Sequence, residues 1–152
     1  MLRLQTIEQL ARSKNELSKK GIKMRALSPN NVHEPFGRYA HGTEIPRGAR
    51  LVQTSGQLGI RRDGSIPEDA YTQAVVCFEN IASILEDCGM TSQQVAHISA
   101  YITDREYFPA YMRARDEFIG ATDRLPSSTL LIVSGFTKPE FKVEVEVLAA
   151  SK

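Results

Sequence analysis

Glu144 and Glu146 alternate with valines in Lys142-Val143-Glu144-Val145-Glu146-Val147-Leu148. Side chains along a strand point to opposite faces in turn, so both carboxylates share one sheet face. If a second copy buries that face, both are expensive there. They are then paired with basic residues, or at least one is kept for proton chemistry. The plain alternative is a solvated face shared with Lys142. The remaining reactive side chains are scattered. His33, His41 and His97 have no second donor at metal-ligand spacing. His97 lies on an alternating strand and reads as structural, whereas His41 follows a loop where it can line a cleft. Cys77 falls on the inner face of a helix and reads as core packing. Cys88 sits near a helix C-terminus, which raises a thiol pKa and argues against a nucleophile. The two cysteines are about 16 Å apart along a helix, too far to bridge. Ser55-Gly56-Gln57-Leu58-Gly59 is too short for a phosphate cradle, and no GKS or GKT occurs.

Elements of recognisable type must hold these residues. Thr6 to Gly21 reads as a thin amphipathic helix with Ile7, Leu10, Ala11 and Leu17 on one face. Strands are expected at 22–26, 41–45, 51–55, 95–102, 127–133 and 141–148. Gly56 breaks the regularity of the third, and Asp63-Gly64 marks a turn. Asp69 caps a helix to Asp87, with Ala74, Cys77, Phe78, Ile81, Ile84 and Leu85 at three- and four-residue spacings, and Gly89 ends it. Thr91 to Gln94 has capping-box spacing for a single turn. Asp104 starts a second helix whose inner face is Phe108, Tyr111, Met112, Arg115 and Phe118, closed by Gly120. Ser127 to Val133 is β-branched and apolar and is expected to be a buried strand. The simplest arrangement lays both helices on one face of a single mixed sheet. The opposite face then needs a cover, and self-association supplies it at least cost.

The chain has 152 residues, one ordinary domain, and a net charge of 19 − 18 = +1. That balance provides no general attraction to nucleic acid or to an anionic membrane. No apolar run reaches the ~18 residues a membrane helix needs. Residues 1–20 lack the apolar core of a secretory signal. Two cysteines are too few for a disulfide scaffold. The expected compartment is the cytoplasm.

Three blocks in order carry a family resemblance. They are Pro35-Phe36-Gly37-Arg38-Tyr39-Ala40-His41-Gly42, Leu51-Val52-Gln53-Thr54-Ser55-Gly56-Gln57, and Lys142 to Ala150. Together with the helix from Ala74 to Gly89 and the segment from Ile102 to Phe118, they resemble the RidA/YjgF family, also called endoribonuclease L-PSP. The likeness covers about residues 22–150, and residues 1–21 form a helical extension that short members lack. It implies a chorismate-mutase-like α+β fold and a homotrimer whose sheets form a barrel, with clefts between subunits. It implies hydrolysis of 2-imino or enamino acids to keto acids and ammonia, with no cofactor and no metal.

Carried over by position, Tyr39 matches the cleft tyrosine, and Ser55 and Gly56 match the residues beside the substrate. Glu144 matches the glutamate that positions the attacking water. The family's carboxylate-clamping arginine follows a proline by two positions; here Pro126 is followed at that distance by Ser128. Met112 stands where active members often carry asparagine, and Leu130 where they often carry cysteine. An arginine–carboxylate pair in a cleft is worth several kcal/mol and a serine hydroxyl about 1 kcal/mol. The resemblance is therefore to an arginine-less member. Three compensations are open. Arg38 can reach the cleft from another side. His41 can act as acid/base with Glu144. Or the substrate lacks a carboxylate, and Ser128, Thr129, Met112 and Leu130 form a neutral pocket. Two functions follow: a small hydrolase or deaminase acting on a C–N bond, with Glu144 and Tyr39 as its catalytic residues, or a trimer that binds a metabolite or a protein without turnover. The ribonuclease reading of the older family name fits poorly with a charge of +1 and no histidine pair.

Overall fold

The last strand organises the domain. In a computed structural model, which describes residues 23–152, β7 runs from Val143 to Ser151 through the middle of the main sheet. Val143, Val145, Val147 and Ala149 are fully buried, while Glu144 and Glu146 on the other face are only partly so. The expected helix at 6–21, and the extension it defines, lie outside the described residues.

The chain starts with β1 (Arg25–Leu27) and β2 (Gly42–Glu44), which pair antiparallel as a separate ribbon. Then come β3 (Arg50–Gln53) and β4 (Gln57–Leu58). Helix α1 spans Ala70–Asp87, β5 Val95–Ile102, α2 Phe108–Ile119 and β6 Ser127–Ile132. Strand order is β3-β7-β5-β6, with β4 also on β7. β5 and β6 are parallel, and the other pairs in this sheet are antiparallel. This is the expected α+β arrangement, a mixed sheet with both helices on one face. It differs in two details. The β1–β2 ribbon stands apart, joined through the Ala40–Ser127 bridge and by Thr43, whose hydroxyl donates to the Ala96 carbonyl (2.7 Å). And β4, only two residues long, carries too little pattern to be read in advance.

The helices form where their caps and stripes say they should. The Asp69 carboxylate accepts from the Thr72 amide (2.8 Å), and Gly89 ends α1 at a positive φ of 73°. Ala74, Cys77, Phe78, Ile81 and Leu85 pack on the sheet, whereas Ile84 falls off the stripe and is exposed. The Asp104 carboxylate caps one 3-10 turn, Arg105–Tyr107, before α2 begins. On α2 the buried residues are Tyr111, Ala114, Arg115 and Ile119. Phe118 stacks on Phe78 with ring centroids 4.7 Å apart, tying the two helices together. Phe108, expected on the inner face, lies at its margin and is exposed.

One expectation is overturned. Ser127–Ile132 is not a buried strand. It is the free edge of the sheet, and Leu131 and Ile132 are about half exposed, at 52% and 47%. Its apolar composition faces a surface that one chain leaves open.

Gln73 locks the helix layer to the start of β7. It is wholly buried, and its Nε2 donates to the carbonyls of Pro67 and Glu140 (2.8 Å each). Its Oε1 accepts from the Lys142 amide at 2.8 Å. Gly59 closes over it, since a Cβ there would lie 2.8 Å from the Gln73 Cα. We predict that Gln73→Leu destabilises the fold by about 2–4 kcal/mol, because three backbone groups lose buried partners. Urea unfolding measures this, and a midpoint equal to wild type would refute the lock.

Candidate functional site

β3 and β4 pair with β7 on either side of an irregularity. Residues 54–56 stand opposite only 146 and 147, one residue more than a regular ladder holds. Thr54 repairs the break. Its amide donates to the Val147 carbonyl (3.0 Å), and its hydroxyl accepts from the Val147 amide (3.0 Å). Gly56 is thereby set against Glu144, and Ser55 before it is exposed. A Cβ on Gly56 would collide with the Glu144 carboxylate, so glycine is what lets that carboxylate lie against the bulge.

Glu144 and Glu146 share the outer face, as their alternation requires. Tyr101 on β5 donates its hydroxyl to Glu146 Oε1 at 3.1 Å. Lys142 does not neutralise them, since its ammonium lies 5.9 Å from the Tyr107 ring centroid. Among the described residues neither glutamate forms an ion pair. Burial, and then the Glu146 charge, push the Glu144 carboxyl above its ordinary value. On the same face His97 Nδ1 is 2.8 Å from Ser127 Oγ, and burial lowers its pKa against an opposing pull from Glu146. That contact fits its structural reading.

The second cluster lies on the other face. β6 pairs with β5 so that Ser128 stands beside Ile98 and Leu130 beside Ala100. Ile98 and Ala100 point into the helix layer, so Ser128 and Leu130 do too. With α2 and the 36–39 loop they enclose a cavity of about 220 Å³. Tyr39, Met112, Ser128 and Leu130, all singled out in the sequence, line it. Phe36, Phe108, Tyr111 and Arg115 complete it, none of which was read as a site residue. The signal for Arg115 was a lone charge on an otherwise apolar helix face. The loop is held by the Tyr39 amide donating to the Gly37 carbonyl (2.9 Å) and the Phe36 amide donating to Tyr39 Oη (3.3 Å).

Three candidates fall elsewhere. Thr129 alternates with Ser128 and pairs with Ser99, which puts it on the glutamate face rather than in the cavity. Arg38 turns away from Tyr39 and donates to the Gly120 carbonyl at 2.7 Å, and more weakly to that of Asp116 at 3.4 Å. It caps the end of α2, where a cation meets the negative end of the helix dipole. His41 is exposed and is not among the lining residues. Cys77 is buried, its thiol pKa pushed up to about 12 by burial, as its core reading requires. Among the described residues no group of three His, Cys, Asp or Glu side chains could hold a metal ion, and no helix is long and apolar enough to cross a membrane.

The two clusters therefore lie on opposite faces of one sheet. Tyr39 and Ser128 look towards α2, while Ser55, Gly56 and Glu144 look outwards. A mixed sheet with two helices on one face and candidate residues on both faces defines a class of small α+β protein. The family model described as Endoribonuclease L-PSP matches residues 30–151. The chain belongs to this family, the RidA/YjgF group. A RutC family protein of Aquifex aeolicus is 25% identical over 127 residues, covering 83% of this chain and 98% of that one. The 2-iminobutanoate/2-iminopropanoate deaminase of Escherichia coli is 21% identical over 130 residues, covering 84% and 98%. Among solved structures, the Rid family protein YyfB of Yersinia pestis superposes with a TM-score of 0.75 at 20% identity, covering 86% of this chain and all of that one. Escherichia coli TdcF, solved with bound serine, gives 0.61 at 24% identity, covering 84% and 99%.

The strain on Glu144 is measurable. Its folded pKa lies above the unfolded value, so the charged form opposes folding at neutral pH, and that penalty disappears below the ordinary value of 4.5. Glu144→Gln should raise Tm at pH 7 and leave it unchanged at a pH below 4.5. A Tm difference that is the same at both pH values would contradict the assigned shift.

Proposed function

We propose that this protein is a cofactor-free hydrolase of an imine, enamine or related C–N metabolite, working in clefts between copies of a cytoplasmic homotrimer. The observation that carries the reading is the split site. Tyr39, Met112, Ser128 and Leu130 face the helices, while Ser55, Gly56 and Glu144 face outwards. A second copy can bring its glutamate face to the first copy's Tyr39 cavity. Exposed Leu51 and Leu131 on the outer face give such a contact apolar area. The deaminase relative and the serine-bound relative favour a small polar metabolite as ligand.

The chemistry asked of the residues is modest. Water adds to the imine carbon as its proton passes to Glu144, and the proton goes on to the nitrogen. The resulting carbinolamine then passes its hydroxyl proton to the nitrogen and breaks its C–N bond, releasing ammonia and a carbonyl compound. A carboxylate with a raised pKa suits this shuttle, because it must both take and return the proton near neutral pH. Tyr39 would position the substrate from the other wall. A binding trimer without turnover is the second reading, favoured by Ser128, Met112 and Leu130, which make that part of the cavity less polar than a catalytic pocket for imino acids calls for.

Ammonia release decides between them. Imino acids generated in situ by an amino-acid oxidase should be hydrolysed faster with the protein than without it. Glu144→Ala should lower that rate at least about a hundredfold, the order expected for removing a general acid/base. An unchanged rate in Glu144→Ala, or no acceleration by wild type over the whole panel, would leave the binding reading.

A further inference from the structure

The Tyr39 cavity contains a buried cation. Arg115 reaches it from α2 with only 1% of its surface exposed. Nε and Nη2 both donate to Asp116 Oδ1, at 3.0 and 2.7 Å. This pair keeps the guanidinium from being an unmatched charge and fixes its plane. Nη1 has no hydrogen bond among the described residues. The guanidinium carbon is 6.0 Å from the Tyr39 ring centroid. Gly37 keeps the approach open, because a Cβ there would lie 3.4 Å from Nη2 and 2.6 Å from Met112 Cε.

A second observation points to a ligand. Tyr111 Oη lines the same cavity, is fully buried, and makes no hydrogen bond of good geometry among the described residues. A buried hydroxyl without a partner is costly and needs a reason. The Ser128 hydroxyl beside it is a further potential donor to the cavity. Guanidinium, phenol and serine thus surround one small space with donors and leave it short of an acceptor. An ionised carboxylate has two oxygens that accept and none that donate. Phe36, Phe108, Met112 and Leu130 make the remaining wall apolar. At about 220 Å³ the space is smaller than a drug-sized pocket, which suits a metabolite of few heavy atoms.

We propose that Arg115, with Tyr111 and Ser128, forms a carboxylate-reading subsite that selects small acids with an apolar body. The proposal concerns the same pocket as the hydrolase reading but needs no turnover. The neutral pocket expected from Ser128, Thr129, Met112 and Leu130 is then replaced by one whose cation comes from the helix.

Equilibrium binding of 4-methylpentanoate and of its uncharged isostere 4-methylpentanamide to the full chain tests it, since neither compound has an imine to hydrolyse. The acid should bind about tenfold tighter or more, the order for hydrogen bonds to a charged group. Arg115→Gln should bring acid and amide to within about threefold, and Tyr111→Phe should weaken the acid by a smaller factor. Arg115 is buried, so the variant can fail to fold; the wild type then supplies the answer through its Arg115 Nε–Hε resonance. That signal should shift with the acid and stay put with the amide. Equal binding of the two compounds, no binding of either, or a resonance unmoved by the acid would each overturn the subsite. Carboxylate preference without ammonia release would refute the hydrolase alone. Ammonia release without carboxylate preference would refute this subsite alone.

Discussion

The two-residue period of β7 is the constraint on which the rest depends. Val143, Val145 and Val147 must enter the helix layer because that is the apolar volume the described residues build. Glu144 and Glu146 are then forced to the far face, whatever their chemistry. A slip of one residue would bury two carboxylates among Cys77, Ile81 and Leu85 and turn the valines outwards, which no compensation in this core could offset. The register is pinned at the sites where slippage would begin. Thr54 fills the gap in the ladder opposite Val147, and Gln73 holds the Lys142 amide just before the strand starts.

From this constraint follows the division of the site. β5 and β6 inherit the alternation of β7 through their pairing, so Ser128 is committed to the inner face as firmly as Glu144 is to the outer one. Glu144 and the Tyr39 cavity therefore lie on opposite faces within a single chain. The sheet ends in a free apolar edge at β6, and its outer face holds uncompensated carboxylates beside Tyr101 and His97. Both features cost something in an isolated chain.

Much of this was legible in advance. The helices were readable because Asp69 and Gly89 bracket one of them and three- to four-residue spacing marks its inner face. The glutamate face was readable because alternation needs no knowledge of the partner strands. What sequence patterns do not encode is which strand lies at an edge. Ser127 to Ile132 has the composition of a buried strand, and only its pairing shows that one side is open. Neighbouring residues misled for the same reason. Thr129 is next to Ser128, yet adjacent side chains on a strand point apart, and Arg38, next to Tyr39 in a bent loop, is drawn away by the Gly120 carbonyl.

Arg115 shows the opposite failure. It was placed correctly on the inner face of α2, and its neighbours there made it look like part of a core. A charge on such a face is held only where something matches it. Asp116 matches part of it, but its side chain remains one-third exposed at 34%, whereas that of Arg115 is 2% exposed. The carboxylate thus carries less of the desolvation than the cation it serves. A pocket lined with a half-matched guanidinium and an unpartnered phenol is less stable empty than an apolar filling of the same volume would be. The fold tolerates that cost on the inner face while the outer one holds two glutamates with no ion pair among the described residues. Among the described residues each face of the sheet is thus short of a partner: the inner cavity lacks an acceptor for Arg115 Nη1, and the outer face lacks a cation for its carboxylates.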